Sequence, residues 1–315
     1  MRLFAALLLA ASPAAALTPE DIRSAAFDGE ALSEGQSGLA FATQVLLDRA
    51  GVSPGVIDGY DGGMTETALR AFERREGFEV DGQLDLEVWE ALGGPSMEPA
   101  VQDYTITEED VSGIASDGLP DDYAELAERD AIPHTSVAER LAERFHMDED
   151  VLRALNDGTS FEAGQTITVA APGDRTEGEV TRIAVRKADG RVDAMDADGA
   201  ILASYPAAIG SQQTPSPSGT VEVVAVAMDP TYSYRPDVNF QQGDNAEPLT
   251  LPPGPNGPVG AVWIDLSKET YGIHGTPEPA SLFQEASHGC VRLTNWDAEE
   301  LAFMVSQGVT VEFVE

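Results

Sequence analysis

Cysteine occurs once in the 315 residues, at position 290, inside Ser287-His288-Gly289-Cys290-Val291-Arg292. These are residue types that make a thiol react. A thiol attacks as its thiolate, and a nearby imidazole promotes this by taking the proton and then stabilising the anion as a cation. Two histidines qualify: His288 lies two residues upstream, and His274 sixteen upstream, in Tyr271-Gly272-Ile273-His274-Gly275-Thr276 at the end of an apolar, strand-like segment. Strand alternation would favour neither, because Gly289 permits an irregular turn. Gly289 also marks a place where backbone can approach a substrate closely and offer amide groups to a developing oxyanion. Arg292 adds a fixed cation whose planar fork suits a carboxylate.

Other readings of the same residues are weaker. His274, His288 and Cys290 supply three zinc ligands without a fourth, at a spacing unlike a compact zinc module, so no metal and no cofactor is expected. An inert, buried Cys290 beside a satisfied His288 is the bland alternative. His134 and His146 fall outside this region and read as ordinary surface or core residues.

The composition says where such a thiol would work. Arg2, the apolar run Leu3 to Ala11 and Ala14-Ala15-Ala16 read as a signal peptide over residues 1–16, too short to span a bilayer. No later run is long enough, so a soluble protein of the periplasm or cell envelope is expected, with no membrane span. Exported proteins normally pair their cysteines, and a single one cannot form an intrachain disulfide. The formal charge of −37 repels polyphosphate and excludes nucleic acid and anionic lipid as partners. The acidic residues are scattered and form no tail, as a solubilising surface requires. Oligomeric state leaves no signal.

Positioning elements follow from periodicity. The expected fold is multidomain α+β. Residues 33–95 read as a three-helix module: Leu39, Val45, Leu46 and Leu47 on the first helix; Ala68, Leu69 and Phe72 on a second capped by Thr65; and Val88, Trp89 and Leu92 on a third starting at Asp85. Asp58-Gly59-Tyr60-Asp61-Gly62-Gly63 and Val80-Asp81-Gly82 form the turns. The order of these pieces resembles the peptidoglycan-binding domain 1 family.

After Gly93-Gly94-Pro95-Ser96, residues 102–172 read as a small α/β module. It runs from a strand at Tyr104-Thr105-Ile106-Thr107, through a helix with Val137, Leu141 and Phe145 and a second capped by Asp148, to a closing strand at Gln165 to Val169. That order resembles a LysM glycan-binding domain, apart from an acidic insertion at 108–134. Residues 180–315 are mostly β: Ile183-Ala184-Val185, Ile201-Leu202-Ala203, Val221 to Val226, Val262-Trp263-Ile264 and Val309 to Phe313 are strand-length runs between Gly/Pro turns. One helix is expected over Asn295 to Gln307, with Ala298, Leu301, Ala302 and Val305 on one face.

With these elements in place, His274-Gly275-Thr276, Ser287 to Leu293 and Asn295-Trp296-Asp297 resemble the L,D-transpeptidase catalytic domain, the YkuD family. Gly210, Thr214 to Thr220 and Pro252 to Gly260 resemble its substrate-groove loops. The resemblance implies a fold spanning residues 180–315 and a cysteine enzyme acting on peptidoglycan tetrapeptide stems. Cys290 would attack the carbonyl between meso-diaminopimelate and D-alanine, D-alanine would leave, and the amine of a second stem would resolve the thioester as a 3→3 cross-link.

By the same resemblance His274 is proton acceptor and donor, the carbonyl of Gly275 orients its ring, and His288 and Gly289 line the oxyanion side. Ser287, Trp263 and Arg292 contact substrate, and the partners are peptidoglycan stem peptides and glycan. Hydrolysis of the thioester (L,D-carboxypeptidase), attachment or release of a wall-linked protein, and non-catalytic wall binding are the alternatives. Where many members carry Ile-Gly, this chain has Leu282-Phe283, a bulky ring expected to narrow or reshape the acceptor side.

Overall fold

The computed structural model describes residues 17–33, 35–210, 214–238, 240–283 and 289–315. The expected signal peptide and the candidates Ser287 and His288 lie outside the described residues.

Helix α1 (Pro19–Arg23) opens on a capping box in which Thr18 and Asp21 bond each other's backbone. Helices α2 (Gly38–Arg49), α3 (Gly63–Glu76) and α4 (Leu86–Ala91) form the expected three-helix unit. Its centre, α2, is apolar on two sides because two cores flank it. Ala40, Leu46 and Leu47 pack with Leu69, Phe72, Val88 and Trp89, whereas Phe41, Ala42 and Val45 face the next module. Asp85 caps α4, accepting from Val88 N at 2.8 Å. Thr65 caps nothing. The N-cap of α3 is Gly62, and Thr65 sits buried in the first turn, its hydroxyl donating to Tyr60 O and accepting from Gln44 Nε2, both at 3.0 Å. Gln44 holds the turn from both ends, its Oε1 accepting from Asp58 N at 3.0 Å and Gly59 N at 2.7 Å and its Nε2 donating to Asp58 Oδ1 at 2.7 Å as well as to Thr65.

The middle region runs strand, three helices, strand, the first helix lying in the 108–134 insertion. Strand β1 (Val101–Thr105) pairs antiparallel with β2 (Thr166–Ala170), and the chain between them carries α5 (Tyr123–Ala127), α6 (Val137–Arg144) and α7 (Glu149–Leu155). Asp148 caps α7 as expected. Leu141, Leu152, Ile167 and Val169 bury against Phe41, Val45 and Ile57, so the two N-terminal regions share one apolar core. Buried Asp110 ties down the start of the 108–134 insertion, accepting from Tyr104 Oη at 2.7 Å and Thr107 N at 2.8 Å and pairing with Arg144 at 2.7 Å.

Residues 180 onward build β3 (Arg182–Arg186), β4 (Arg191–Met195), β5 (Ile201–Pro206), β6 (Ala208–Ile209), β7 (Gly219–Met228), β8 (Tyr232–Tyr234), β9 (Leu249–Leu251), β10 (Val262–Leu266), β11 (Gly272–His274), β12 (Val291–Arg292), α8 (Asn295–Met304) and β13 (Thr310–Val314). One nine-stranded sheet has the order β5-β4-β3-β13-β7-β10-β11-β12-β6, and β8 and β9 form a separate hairpin. Only β13/β3 and β11/β12 pair in parallel, so the sheet is mostly antiparallel, as read from the sequence. Thr294 caps α8, whose Ala298 and Leu301 bury against the sheet. The helix ends at Met304, three residues short of the expected Gln307, because Val305 turns to extended backbone.

The catalytic sheet is not a separate body on a leash. Ser53 N donates to Ser204 O and Ser204 N to Gly51 O, both at 2.9 Å, so residues 51–53 of the N-terminal module extend the sheet past its edge strand β5. Arg191 is fully buried at this seam. Its guanidinium donates to Ser53 O and Ser204 O at 2.9 Å and to Ser204 Oγ at 3.0 Å, and Ser204 Oγ donates to Asp193 at 2.7 Å. Burial pulls the Arg191 pKa down to about 10, partly opposed by Asp193. Arg191→Ala would strand these acceptors and is expected to cost about 3–5 kcal/mol, read as a lower urea midpoint at unchanged slope.

Candidate active site

Strand parity assembles the site. In β10, β11 and β12, Trp263, His274 and Arg292 lie in one cross-strand row, since Trp263 pairs with His274 and His274 with Arg292. Asp265 pairs with Gly272, and Cys290, one residue before the paired Val291, falls beside Gly272. Residues two apart on a strand share a face, so Trp263, His274, Arg292, Asp265 and Cys290 all emerge on one side. Ile264, Ile273 and Val291 emerge on the other and bury against α8. One face is core and the other chemistry. His274 and Cys290 line a cavity of about 470 Å³ with Trp263, Thr270, Tyr271, Glu278 and Arg292.

His274 is buried and oriented. Its Nδ1 donates to the carbonyl of Gly275 at 2.7 Å, the contact implied by the family resemblance, which leaves Nε2 as the basic nitrogen. The Trp263 ring stacks on it, with centroids 5.6 Å apart and 21° between planes. Burial lowers the His274 pKa to about 4, and the Arg292 cation pushes the same way against the Gly275 carbonyl. Burial also pushes the Cys290 thiol up, opposed by a hydrogen bond to the backbone of Gly272. At rest the thiol and the imidazole are therefore both neutral.

Cys290 Sγ–H is directed at the carbonyl of Thr270, 3.7 Å away. Thr270 has φ +72°, costly for a β-branched residue, and such backbone strain gathers at functional sites. Gly289 has φ +108°, and a Cβ there would meet the Tyr271 ring, so the turn before the nucleophile requires glycine.

Behind the site, buried Asn295 pins the 255–261 loop and packs closely against Gly275. Its Oδ1 accepts from Ala261 N at 3.1 Å. Its Nδ2 donates to Pro255 O at 3.2 Å and to both Glu143 oxygens at 3.1 and 3.2 Å. A Cβ on Gly275 or Gly260 would collide with Asn295 Oδ1. Gly275→Ala is expected to destabilise the fold by about 1–3 kcal/mol and to lower turnover by displacing the His274 acceptor, checked by urea unfolding beside kinetics.

The structure brings Cys290, His274, Gly275, Gly289, Arg292 and Trp263 together. Sequence reasoning missed Thr270, Tyr232 and Tyr123, and gave Asn295 no role. The alternation Tyr232-Ser233-Tyr234 was the available signal for an aromatic wall. The Phe283 ring lies against Gly63 and Gly190 and stays partly exposed. His146 pairs with Asp48 at 2.8 Å and stacks on Trp296 of α8, ring centroids 5.3 Å apart.

A half-buried cysteine and a buried, carbonyl-oriented histidine thus share one face of a mostly antiparallel sheet. The L,D-transpeptidase catalytic domain (YkuD) family matches residues 180–313, and a putative peptidoglycan binding domain family matches residues 42–92. A putative L,D-transpeptidase YkuD of Bacillus licheniformis is 33% identical over 177 residues, covering 55% of this chain and 90% of the relative. The Bacillus subtilis putative L,D-transpeptidase YkuD is 35% identical over 111 residues, 35% of this chain and 52% of that protein. A solved L,D-transpeptidase from Mycobacterium smegmatis is 19% identical with a TM-score of 0.36, over 49% of this chain and 75% of the other. The chain belongs to the L,D-transpeptidase family, acyltransferases that act on peptidoglycan, and carries an N-terminal peptidoglycan-binding domain. Among the described residues no helix is long and apolar enough to cross a membrane.

Proposed function

We infer that this protein is an exported L,D-transpeptidase that forms 3→3 cross-links through a thioester on Cys290. The observation that carries the reading is His274 held by the Gly275 carbonyl, on the sheet face it shares with Cys290. As Cys290 Sγ attacks the carbonyl between the L-centre of diaminopimelate and D-alanine, its proton passes to His274 Nε2. The carbon–nitrogen bond breaks, His274 returns the proton to the leaving amine, and D-alanine departs. The amine of a second stem attacks the thioester and gives its proton to His274. The new amide forms and the thiol is restored. Backbone amides around Gly289, with His288 beside them, stabilise the oxyanion. Arg292 and Ser287 hold the substrate, and Trp263 supports the His274 ring.

The N-terminal and LysM-like middle regions, residues 33–95 and 102–172, hold glycan, and residues 1–16 direct export to the periplasm. Purified protein given disaccharide-tetrapeptide is expected to release D-alanine and yield 3→3 dimers by mass spectrometry. Finding neither product would sink this reading.

A further inference from the structure

The cavity at Cys290 has a wall that does not come from the catalytic domain. Tyr123, in the 108–134 insertion and outside both family matches, lines the same cavity as Cys290, Tyr232 and Trp263. Its ring meets Tyr234 at 5.3 Å, Tyr232 at 6.1 Å and Phe240 at 6.2 Å, each edge to face.

The insertion is built to hold it there. Leu126 and Ile132 share a small apolar core with Tyr234 and Leu251 of the β8–β9 hairpin. Tyr123 N donates to Gln242 Oε1 at 3.2 Å, Gln242 Nε2 to Asp121 O at 2.8 Å, and Ile132 N to Pro253 O at 2.9 Å. These bonds strap the insertion across the hairpin. A segment of the middle module thus closes one side of the thiol's surroundings with aromatic surface.

A thioester here has two fates. An amine gives an amide and restores the thiol; water gives a free carboxylate and the same thiol. Water is by far the more abundant nucleophile, so access decides the outcome, and an apolar wall lowers the access of water. We propose that Tyr123 is a wall residue that shields the Cys290 thioester from water and so sets the balance between transfer and hydrolysis. The proposal rests on the transpeptidase reading above for its substrate, while the shielding itself is independent of it.

Full-length wild type, Tyr123→Ala and Tyr123→Phe are given disaccharide-tetrapeptide, and tripeptide and dimer are quantified by mass spectrometry. Tyr123→Ala is expected to raise the tripeptide-to-dimer ratio roughly fivefold or more, and Tyr123→Phe to leave it unchanged. Gln242→Ala, which loosens the strap and leaves its apolar core intact, shifts the ratio the same way and serves if Tyr123→Ala does not fold. An unchanged ratio in Tyr123→Ala overturns the proposal. Alkylation of Cys290 by iodoacetamide is the second readout, with a faster rate expected in Tyr123→Ala. If wild type forms neither product, the transpeptidase reading fails, and equal alkylation rates then overturn the shielding as well.

Discussion

Cys290→Ala is expected to abolish D-alanine release and dimer formation, with a fall on the order of 10⁴-fold or more. Every step of the proposed reaction runs through a covalent bond to this sulfur, and no second cysteine exists in the chain to take its place. Cys290→Ser tests the sulfur itself. The hydroxyl occupies nearly the same volume, so the fold is retained, but alcohol ionisation is far harder and a neutral His274 lowered to about 4 is a weak base for it. Muropeptide analysis of wild type beside Cys290→Ala checks the result. Full activity in the alanine variant would rule out the mechanism.

His274→Gln is expected to lower kcat by about 10²–10⁴-fold, the range for a lost general acid and base. The pH profile gives the more specific test. An exposed histidine near 6.5 would cut activity below pH 6.5, whereas His274 at about 4 keeps its basic nitrogen to much lower pH, so the acid limb attributable to it falls near pH 4. The same shift acts on stability. With the folded pKa below the unfolded one, the unfolded chain takes up the proton first. The contribution is complete above pH 6.5, is lost as pH falls from 6.5 toward 4, and is flat below. The loss amounts to about 3 kcal/mol. Urea midpoints at pH 7 and pH 4.5 should therefore differ more in wild type than in His274→Gln.

Chemistry was easier to read from this sequence than geometry. The motif around Cys290 singled out a thiol that lines the cavity, and β-branched runs placed most strands of the sheet. Spacing alone favoured neither His274 nor His288, and the parallel pairing of β11 with β12, which brings His274 and Cys290, sixteen residues apart, onto neighbouring strands, has no local sequence signal. Strand β4 escaped notice because Arg191 and Asp193 look like surface residues until buried hydrogen bonds are supplied by Ser204 and Ser53. Thr65 looked like a cap because Gly62 has no side chain to announce one, whereas its hydroxyl is buried between Tyr60 O and the Gln44 amide. Tyr123 is more than 160 residues from Cys290, and no local pattern could link a tyrosine in an acidic insertion to a thiol so far away.

The backbone seam at residues 51–53 changes what the wall-binding module does for the enzyme. A flexible tether raises local concentration and lets a catalytic head search a sphere around its anchor. Here the anchor continues into the sheet, so the two move as one piece. Under the proposed function, a module gripping a glycan strand would present the groove to stems at one distance and one bearing from that grip, so the spacing of the proposed cross-links would follow from the protein's own dimensions.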